Sequence, residues 1–291
     1  MDAYLGQFTS ALRLQLEEIK DRFSVPDGTS DAVALRIARD TPEGLALFRK
    51  VHLLNPLREE TCKLVFDPRL HALARLRFGD APAFWNGMTH VAPAGPVPGE
   101  EVRVHADYAS GGWTPDPWSD GLRFWCALED IDLRSGPFFV YRGSHRSVTP
   151  KVMVDILKAD PNLVDDLRRQ LNSTTDGAWR VLHERLHAEM SNRMLLECTQ
   201  QGLQQVVFTL RKGDVVAFNP GTTHGTATVF DDQLSRKCLI FDLISSKAKL
   251  YPARAFWSPL HDYHFRTPSF TQWLEARPRP LWIRPPPPSS R

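Results

Sequence analysis

The sequence predicts a mainly β fold, with an antiparallel β-core, helices before it and one helical insertion within it. Two changes of pattern favour this architecture. Apolar residues recur at helical spacing in the first third of the chain; from residue 83 to 139 they give way to short segments rich in Trp, Phe, Val and Thr, interrupted by Gly and Pro. After a polar, helical stretch, the strand pattern resumes beyond residue 200. The chain of 291 residues can bury a sizeable core.

Helix signals dominate the N-terminal residues. Six apolar residues recur at spacings of three and four and form one face of a first helix: Leu5, Phe8, Leu12, Leu16, Ile19 and Phe23. Further helices are predicted over 31–40 and 41–54. Another begins at Asp67-Pro68, where a capping residue precedes a first-turn proline, and ends at Gly79.

These patterns predict a single domain over residues 1–291. Its four parts are N-terminal helices at 1–80, a β-core at 81–146 and 203–247, a helical insertion at 147–202, and a C-terminal segment at 248–291. The proline-rich end of that segment is expected to be disordered. The insertion is expected to serve as a lid or as part of a contact in a homo-oligomer.

Composition narrows the classes of partner and compartment. The formal net charge of +2 does not favour nucleic acid or an anionic membrane as a partner, and no apolar run approaches the ~20 residues of a membrane span. The N-terminus has no signal-peptide pattern. The four cysteines show no C-x-x-C spacing, which favours a reducing, cytoplasmic compartment: Cys62, Cys126, Cys198 and Cys238.

One short stretch indicates a zinc peptidase. Residues 181–187 read VLHERLH and contain H-E-x-x-H, in which His183 and His187 would share one helix face and bind zinc. The longer form of this motif needs glycine and a third histidine where the chain has Met190 and Arg193. Because two histidines alone do not hold a catalytic zinc ion, we favour an amphipathic helix within the insertion.

A second constellation lies in the predicted strands. His105 and Asp107 are two residues apart, so that on a strand both side chains face the same way. His224 begins a later strand, and Arg236 stands among apolar residues of another. Each residue alone has a simpler explanation, such as a surface position, a turn cap or a surface ion pair. Together, two histidines and a carboxylate suit a non-haem Fe(II) centre, and the arginine suits the carboxylate of a 2-oxoacid.

These motifs resemble the phytanoyl-CoA dioxygenase-like branch of the Fe(II)/2-oxoglutarate oxygenases. The resemblance spans about residues 80 to 245 and rests on four stretches: HAD, LRFWCALEDIDLRSGPFFVYRGSHR, LRKGDVVAFNPGTTHG and SRKCLIF. It departs from the family at Arg142, where proline is usual, and at Ala106, where glutamine is frequent.

The resemblance implies a fold, cofactors and residue roles. The fold is a double-stranded β-helix, a jelly-roll core like that of the cupins. The cofactors are Fe(II), 2-oxoglutarate as co-substrate, and O2. The implied iron ligands, which are also the catalytic residues, are His105, Asp107 and His224, while Arg236 anchors the 2-oxoglutarate carboxylate and Trp125 lies along its pocket.

The primary substrate is not fixed by these motifs. We expect a small molecule, a natural-product intermediate rather than an acyl-CoA, oxidised by hydrogen-atom abstraction in a hydroxylation or a related reaction. Trp113, Trp118 and Arg142 are candidates for substrate contact. Arg103 and Arg123 are open to the same role or to a solvated surface position. The alternatives are a cupin-like metal-binding module without catalysis and the zinc peptidase.

Overall fold

The computed structural model describes residues 2–31, 33, 34, 37, 43, 64, 65, 67–90, 96, 98–107, 121–160, 162, 189–231 and 233–245. The predicted helices over 31–40 and 41–54 lie mostly outside these residues. The C-terminal segment 248–291 lies wholly outside them, so its predicted disorder stays a prediction.

The first helix, α1, spans Asp2–Arg22 and buries the face that the sequence pattern predicts. Five of its six apolar residues are 5% exposed or less, and the sixth, Phe23, lies just beyond the helix and is partly buried. The apolar stripe therefore holds α1 against the body of the protein by hydrophobic burial.

The second described helix, α2, spans Pro68–Phe78, as its flanking residues predict. The Asp67 side chain caps it by accepting a hydrogen bond from the backbone N–H of Arg69, and Pro68 occupies the first turn. Gly79 ends it in a left-handed conformation with φ 73°, which a glycine adopts without steric cost.

Eight described strands form two four-stranded antiparallel sheets, with the orders β1-β8-β3-β6 and β2-β7-β4-β5. Neighbours in each sheet are distant in sequence, and the two facing sheets make the predicted double-stranded β-helix. The strands are β1 Pro82–His90, β2 Val104–His105, β3 Gly121–Ala127, β4 Phe138–Tyr141, β5 Gln205–Val207, β6 Val215–Phe218, β7 His224–Thr226 and β8 Cys238–Ser245.

Successive side chains of a strand point to opposite faces of its sheet, so the buried apolar residues form three separate clusters. Phe124 and its neighbours on one face of the first sheet pack against α1 and α2. Trp125, Phe138 and Phe218 form a cluster between the sheets. Phe139 faces the other side of the second sheet and packs against the helices of the insertion. The metal-ligand candidates lie at the edge of the layer between the sheets.

Two described helices lie at the two ends of the predicted insertion, α3 at Ser144–Ala159 and α4 at 189–200. Helix α3 begins at Ser144, three residues before the predicted boundary of the insertion at 147. Both helices bury apolar residues against the second sheet, among them Val148, Ile156 and Met194. Both helices belong to a layer of the core. The function of the insertion as a lid or as an oligomer contact stays a prediction, because most of the residues between the two helices lie outside the described ranges.

Two further observations concern the described helices and the described cysteines. None of the described helices is long and apolar enough to cross a membrane. The three described cysteines, Cys126, Cys198 and Cys238, are buried thiols. Burial raises the pKa of Cys126 to about 12 and that of Cys198 to about 11, so both thiols stay protonated.

Candidate metal centre

Three side chains converge at one point of the second sheet. His105 on β2 and His224 on β7 lie directly opposite each other, and their ring centroids are 4.2 Å apart. Asp107 completes the group, and the donor atoms of all three residues lie within 4.8 Å of one another. Because nitrogen and oxygen donors sit about 2 Å from a divalent ion, one ion can contact all three.

Close packing of the two strands brings the histidines together. Gly225 follows His224, and a Cβ atom there would come within 2.6 Å of the Arg103 carbonyl oxygen and 2.8 Å of the Phe139 ring. A residue with a side chain at this position would therefore push β2 away from β7. This close approach explains why glycine follows the histidine in the sequence.

His224 is fixed in the tautomer that a metal requires. Its Nδ1 lies 2.8 Å from the Thr222 carbonyl oxygen, which can only accept, so Nδ1 carries the proton and Nε2 is free to ligate. Burial lowers the pKa of His224, an effect that the nearby Asp107 carboxylate opposes. The imidazole is therefore neutral, as a ligand must be. His105 is less enclosed, with 36% of its side chain exposed.

Asp107 is placed by a turn and not by the strand that the sequence predicts. Strand β2 ends at His105, and Asp107 follows in a turn in which its backbone N–H donates to the Pro220 carbonyl oxygen at 3.0 Å. The result still matches the predicted chelation, since Asp107 Oδ1 lies 3.9 Å from His105 Nε2 and Oδ2 lies 3.6 Å from His224 Nε2.

Helix α3 holds the turn that precedes His224. Ser144 Oγ accepts a hydrogen bond from the Thr223 N–H at 2.8 Å and donates to the Tyr141 carbonyl oxygen at 2.7 Å. Thr149 Oγ1 donates to the Gly221 carbonyl oxygen at 2.9 Å. Both hydroxyls are buried. The G-S-H motif of the sequence thus serves the metal centre through the serine.

Arg123 has a role that the sequence did not reveal. The solvated surface position left open for it is wrong, because it is buried and ion-paired with Asp107 and with Asp242. Its Nε and Nη2 donate to the two Asp242 oxygens at 2.6 and 2.7 Å. Burial raises the pKa of Asp242, an effect that the Arg123 charge opposes. Opposite neighbours on β3 and β8 form this pair.

Arg236 lies two residues before β8, not inside a strand as predicted, but it is buried. Its Nη1 donates to the Gly136 carbonyl oxygen at 2.9 Å and to Thr226 Oγ1 at 3.0 Å. Its Nε is also buried, and no acceptor for it is found among the described residues. Burial lowers the pKa of the guanidinium. Among the described residues, no carboxylate forms an ion pair with it.

Aromatic rings connect Arg236 with the metal-ligand group. The guanidinium lies 5.9 Å from the Trp125 ring centroid, Trp125 stacks on Phe138 at 5.6 Å, and Phe138 lies 5.5 Å from the His224 ring. Thr226, which Arg236 contacts, is two residues beyond His224 on β7 and so faces the same side. The arginine and the three ligand candidates thus border one region between the sheets.

A cleft of about 600 Å³ reaches this region from the solvent. Its lining includes His105 on β2 and Thr226 on β7. The segment before β2 contributes Glu100, Glu101 and Arg103, all three of which are exposed. The more exposed histidine of the group therefore faces an open, polar cleft.

Several predicted residues are not part of this group or cannot be placed. Arg142 is described and exposed at the end of β4. Trp113 and Trp118, two of the candidates for substrate contact, lie outside the described residues. His183 and His187 of the H-E-x-x-H stretch also lie outside them, so the structure does not test the zinc interpretation directly.

The profile of the phytanoyl-CoA dioxygenase (PhyH) family matches residues 9–238 of the sequence. The chain belongs to the phytanoyl-CoA dioxygenase family. This confirms the predicted family and the predicted class, since the enzymes of the PhyH family are iron- and 2-oxoglutarate-dependent oxygenases. The two-sheet core confirms the predicted fold. No curated protein matches the sequence.

Solved structures resemble this member of the PhyH family at low identity. They include the non-heme alpha ketoglutarate dependent epimerase SnoN from nogalamycin biosynthesis, the non-heme monooxygenase ThoJ in a nickel complex, and EctD from S. alaskensis with 2-oxoglutarate and 5-hydroxyectoine. Sequence identities are 14%, 15% and 16%, and TM-scores are 0.41, 0.47 and 0.47. The matches cover 67%, 89% and 86% of this chain. They cover 60%, 80% and 71% of the other chains, so this chain spans about three fifths of SnoN.

Proposed function

We propose that this PhyH-family chain is an Fe(II)/2-oxoglutarate-dependent oxygenase that oxidises a small molecule, a natural-product intermediate, by hydrogen-atom abstraction. Hydroxylation or a related oxidation is the outcome. Among the observations that support the proposal, one carries it: a buried arginine without a carboxylate partner in the described chain borders the same region as a His-Asp-His group.

His105, Asp107 and His224 are the proposed iron ligands. Two neutral imidazoles and one carboxylate on one side of an ion suit non-haem Fe(II), whose other positions then serve co-substrate and O2. Bound iron supplies the O2 activation that a protein side chain cannot. The chain's own part is to keep His224 in the Nε2-ligating tautomer through Thr222 and to hold Asp107 in place through Arg123.

Arg236 is the proposed anchor for the distal carboxylate of 2-oxoglutarate. A buried cation without an anion is costly, and a planar guanidinium pairs with a carboxylate through two parallel hydrogen bonds. Two donors of Arg236 are already held by Gly136 and Thr226, which fixes the plane of the group. Trp125, beneath the guanidinium, is the proposed wall of the same pocket.

The cleft beside His105 is the proposed route for the primary substrate. Its volume of about 600 Å³ suits a small molecule. Glu100 and Glu101 in its lining would repel the phosphates of coenzyme A, which supports a smaller intermediate over an acyl-CoA. Trp113, Trp118 and Arg142 remain proposed contacts on the strength of the sequence alone.

An anaerobic titration with 2-oxoglutarate tests the anchor. Protein loaded with Fe(II) is titrated while the metal-to-ligand charge-transfer band is followed. A hydrogen bond to a charged group contributes ~1.5–3 kcal/mol and each 1.4 kcal/mol is tenfold in affinity, so Arg236→Ala should weaken 2-oxoglutarate by ~100-fold or more. Arg236→Lys should also weaken it, because an ammonium cannot reproduce the planar fork. Iron affinity should not change.

Arg134→Ala is the matched control, because Arg134 is an exposed arginine whose guanidinium is paired with Asp132. It should leave 2-oxoglutarate affinity unchanged. Unchanged affinity in Arg236→Ala would move the anchor to another cation, with Arg211 and Lys237 the next candidates. If the parent protein binds iron but neither binds 2-oxoglutarate nor consumes O2 in its presence, the chain is the non-catalytic cupin-like module instead.

A further inference from the structure

A chain of three buried charges runs from the metal-ligand group into the first sheet. The Arg123 guanidinium uses Nη1 to contact Asp107 Oδ1, and uses Nε and Nη2 to hold both oxygens of Asp242. All three residues are 6% exposed or less. Charges this far from water interact strongly and are costly when unpaired, so the arrangement is tightly determined.

The two oxygens of Asp107 have different surroundings. Oδ1 meets Arg123, whereas Oδ2 faces His224 Nε2 at 3.6 Å. The guanidinium therefore occupies one oxygen and leaves the other directed towards the histidine donor. A carboxylate held in this way offers one oxygen to an ion and resists rotation about its Cβ–Cγ bond, which would otherwise exchange the two oxygens.

Asp242 in turn fixes Arg123. The two residues are opposite each other on the hydrogen-bonded strands β3 and β8, and two parallel hydrogen bonds lock the guanidinium plane. One positive and two negative charges leave a net charge of −1, which suits a neighbouring divalent cation. The pair belongs to the first sheet, while His105 and His224 belong to the second.

We propose that Arg123, braced by Asp242, is a positioning residue that orients Asp107 as a single-oxygen ligand of the metal and couples the first sheet to the metal centre. The inference rests on the proposed function, since it takes the ion to be bound by His105, Asp107 and His224. The simpler alternative is an ion pair that stabilises the fold and does not influence the metal.

Co(II) binding separates these two roles, because the visible absorption of Co(II) reports its coordination and the ion is stable in air. We expect Asp242→Asn to weaken Co(II) about 10-fold or more and to change its absorption spectrum, since residues that orient a ligand typically contribute 10–100-fold to metal affinity. Arg123→Lys, which keeps the charge, should retain more affinity than Arg123→Met.

Asp67→Asn is the matched control. Asp67 is also a buried carboxylate held by two hydrogen bonds from an arginine, at 3.1 and 3.2 Å from Arg69, but it caps helix α2. It should lower the melting temperature and leave Co(II) affinity and spectrum unchanged. The proposal is overturned if Asp242→Asn and both Arg123 variants behave like this control, with a lower melting temperature but unchanged Co(II) affinity and spectrum.

Two outcomes in the parent protein separate this inference from the proposed function. Parent protein that binds Co(II), responds to Asp242→Asn as expected and yet fails to bind 2-oxoglutarate would refute the oxygenase and support the brace. If the parent protein binds both Co(II) and 2-oxoglutarate, and Asp242→Asn leaves the Co(II) affinity and spectrum unchanged, the oxygenase is supported and the brace is refuted. Failure of the parent to bind Co(II) would refute both.

Discussion

His224 illustrates how one hydrogen bond prepares a side chain for a metal. Its Nδ1–H donates to the Thr222 carbonyl oxygen two residues earlier, so the tautomer is set by the local backbone. Burial lowers the pKa of the ring, which keeps it neutral into weakly acidic solution. Neighbouring aromatic rings, Phe138 and Phe218, limit how the imidazole can turn. The ligand is thus oriented before any ion arrives.

Alanine substitutions test the ligand set at the residue scale. His105→Ala, Asp107→Ala and His224→Ala should each abolish turnover and weaken Fe(II) binding, because each removes one of three protein donors. Equilibrium dialysis with metal analysis measures the affinity. His183→Ala is the control from the H-E-x-x-H stretch and should bind Fe(II) normally. Loss of the metal in His183→Ala alone would refute the His-Asp-His centre.

The sequence predicts the ligand group but not the residue that braces it. His105, Asp107 and His224 stand in short motifs whose residue types already suit a metal. Both acidic partners of Arg123 are distant in sequence: Asp107 belongs to another motif, and Asp242 is 119 residues away. Its environment depends on the register between β3 and β8, which local pattern cannot determine.

At the scale of elements, the turn before β7 connects a helix with the metal centre. Among its hydrogen bonds, the turn 220–223 donates to Ser144 Oγ and accepts from the Thr149 hydroxyl, the Tyr141 backbone N–H and the Asp107 backbone N–H. Turns carry polar groups that must be satisfied when they are buried. Helix α3 supplies two of these partners, so its packing against the second sheet also sets the position of His224.

Removing the hydroxyls of α3 tests this connection. Ser144→Ala leaves the buried Thr223 N–H without its acceptor, and Thr149→Val removes the donor to Gly221 at nearly constant volume. Each should lower the free energy of unfolding by ~1–3 kcal/mol in urea denaturation, and Fe(II) affinity should fall with it. Ser147→Ala on the same helix removes an exposed hydrogen bond to Gln201 and should do neither. Equal effects of Ser147→Ala and Ser144→Ala would contradict the role of the turn.

Element boundaries were predicted best where the signal is local. Asp67, Pro68 and Gly79 set the ends of α2 through capping and a left-handed φ, so the chain itself specifies them. Strand β2 was predicted too long, because its two residues end where Asp107 turns away to the Pro220 carbonyl. Arg236 was placed in a strand that begins two residues later. In both cases tertiary contacts override the local pattern.

At the scale of the whole molecule, the metal-ligand group lies where the two sheets meet. Its histidines come from the second sheet, its brace comes from the first, and each sheet carries its own helical layer on the outer face. An ion bound here would connect both halves of the core through Asp107 and Arg123. Local loss of the ion should therefore affect the stability of the entire domain and not of one loop.

Metal removal tests this coupling. A ligand that binds only the folded state stabilises it by about 2.7 kcal/mol when present at 100 times its Kd. For a chain of this size each kcal/mol corresponds to roughly 2–4 °C, so Mn(II) added to chelator-treated protein should raise the melting temperature by about 5–10 °C in scanning calorimetry. Mn(II) is chosen because it does not oxidise in air as Fe(II) does.

His224→Ala should show no rise under the same conditions, because the ion would lose a buried donor on β7. A single, shifted transition is expected, since both sheets take part. An equal rise in His224→Ala would place the stabilising ion elsewhere in the chain, and a rise confined to a minor early transition would mean that the centre stabilises only its own turn.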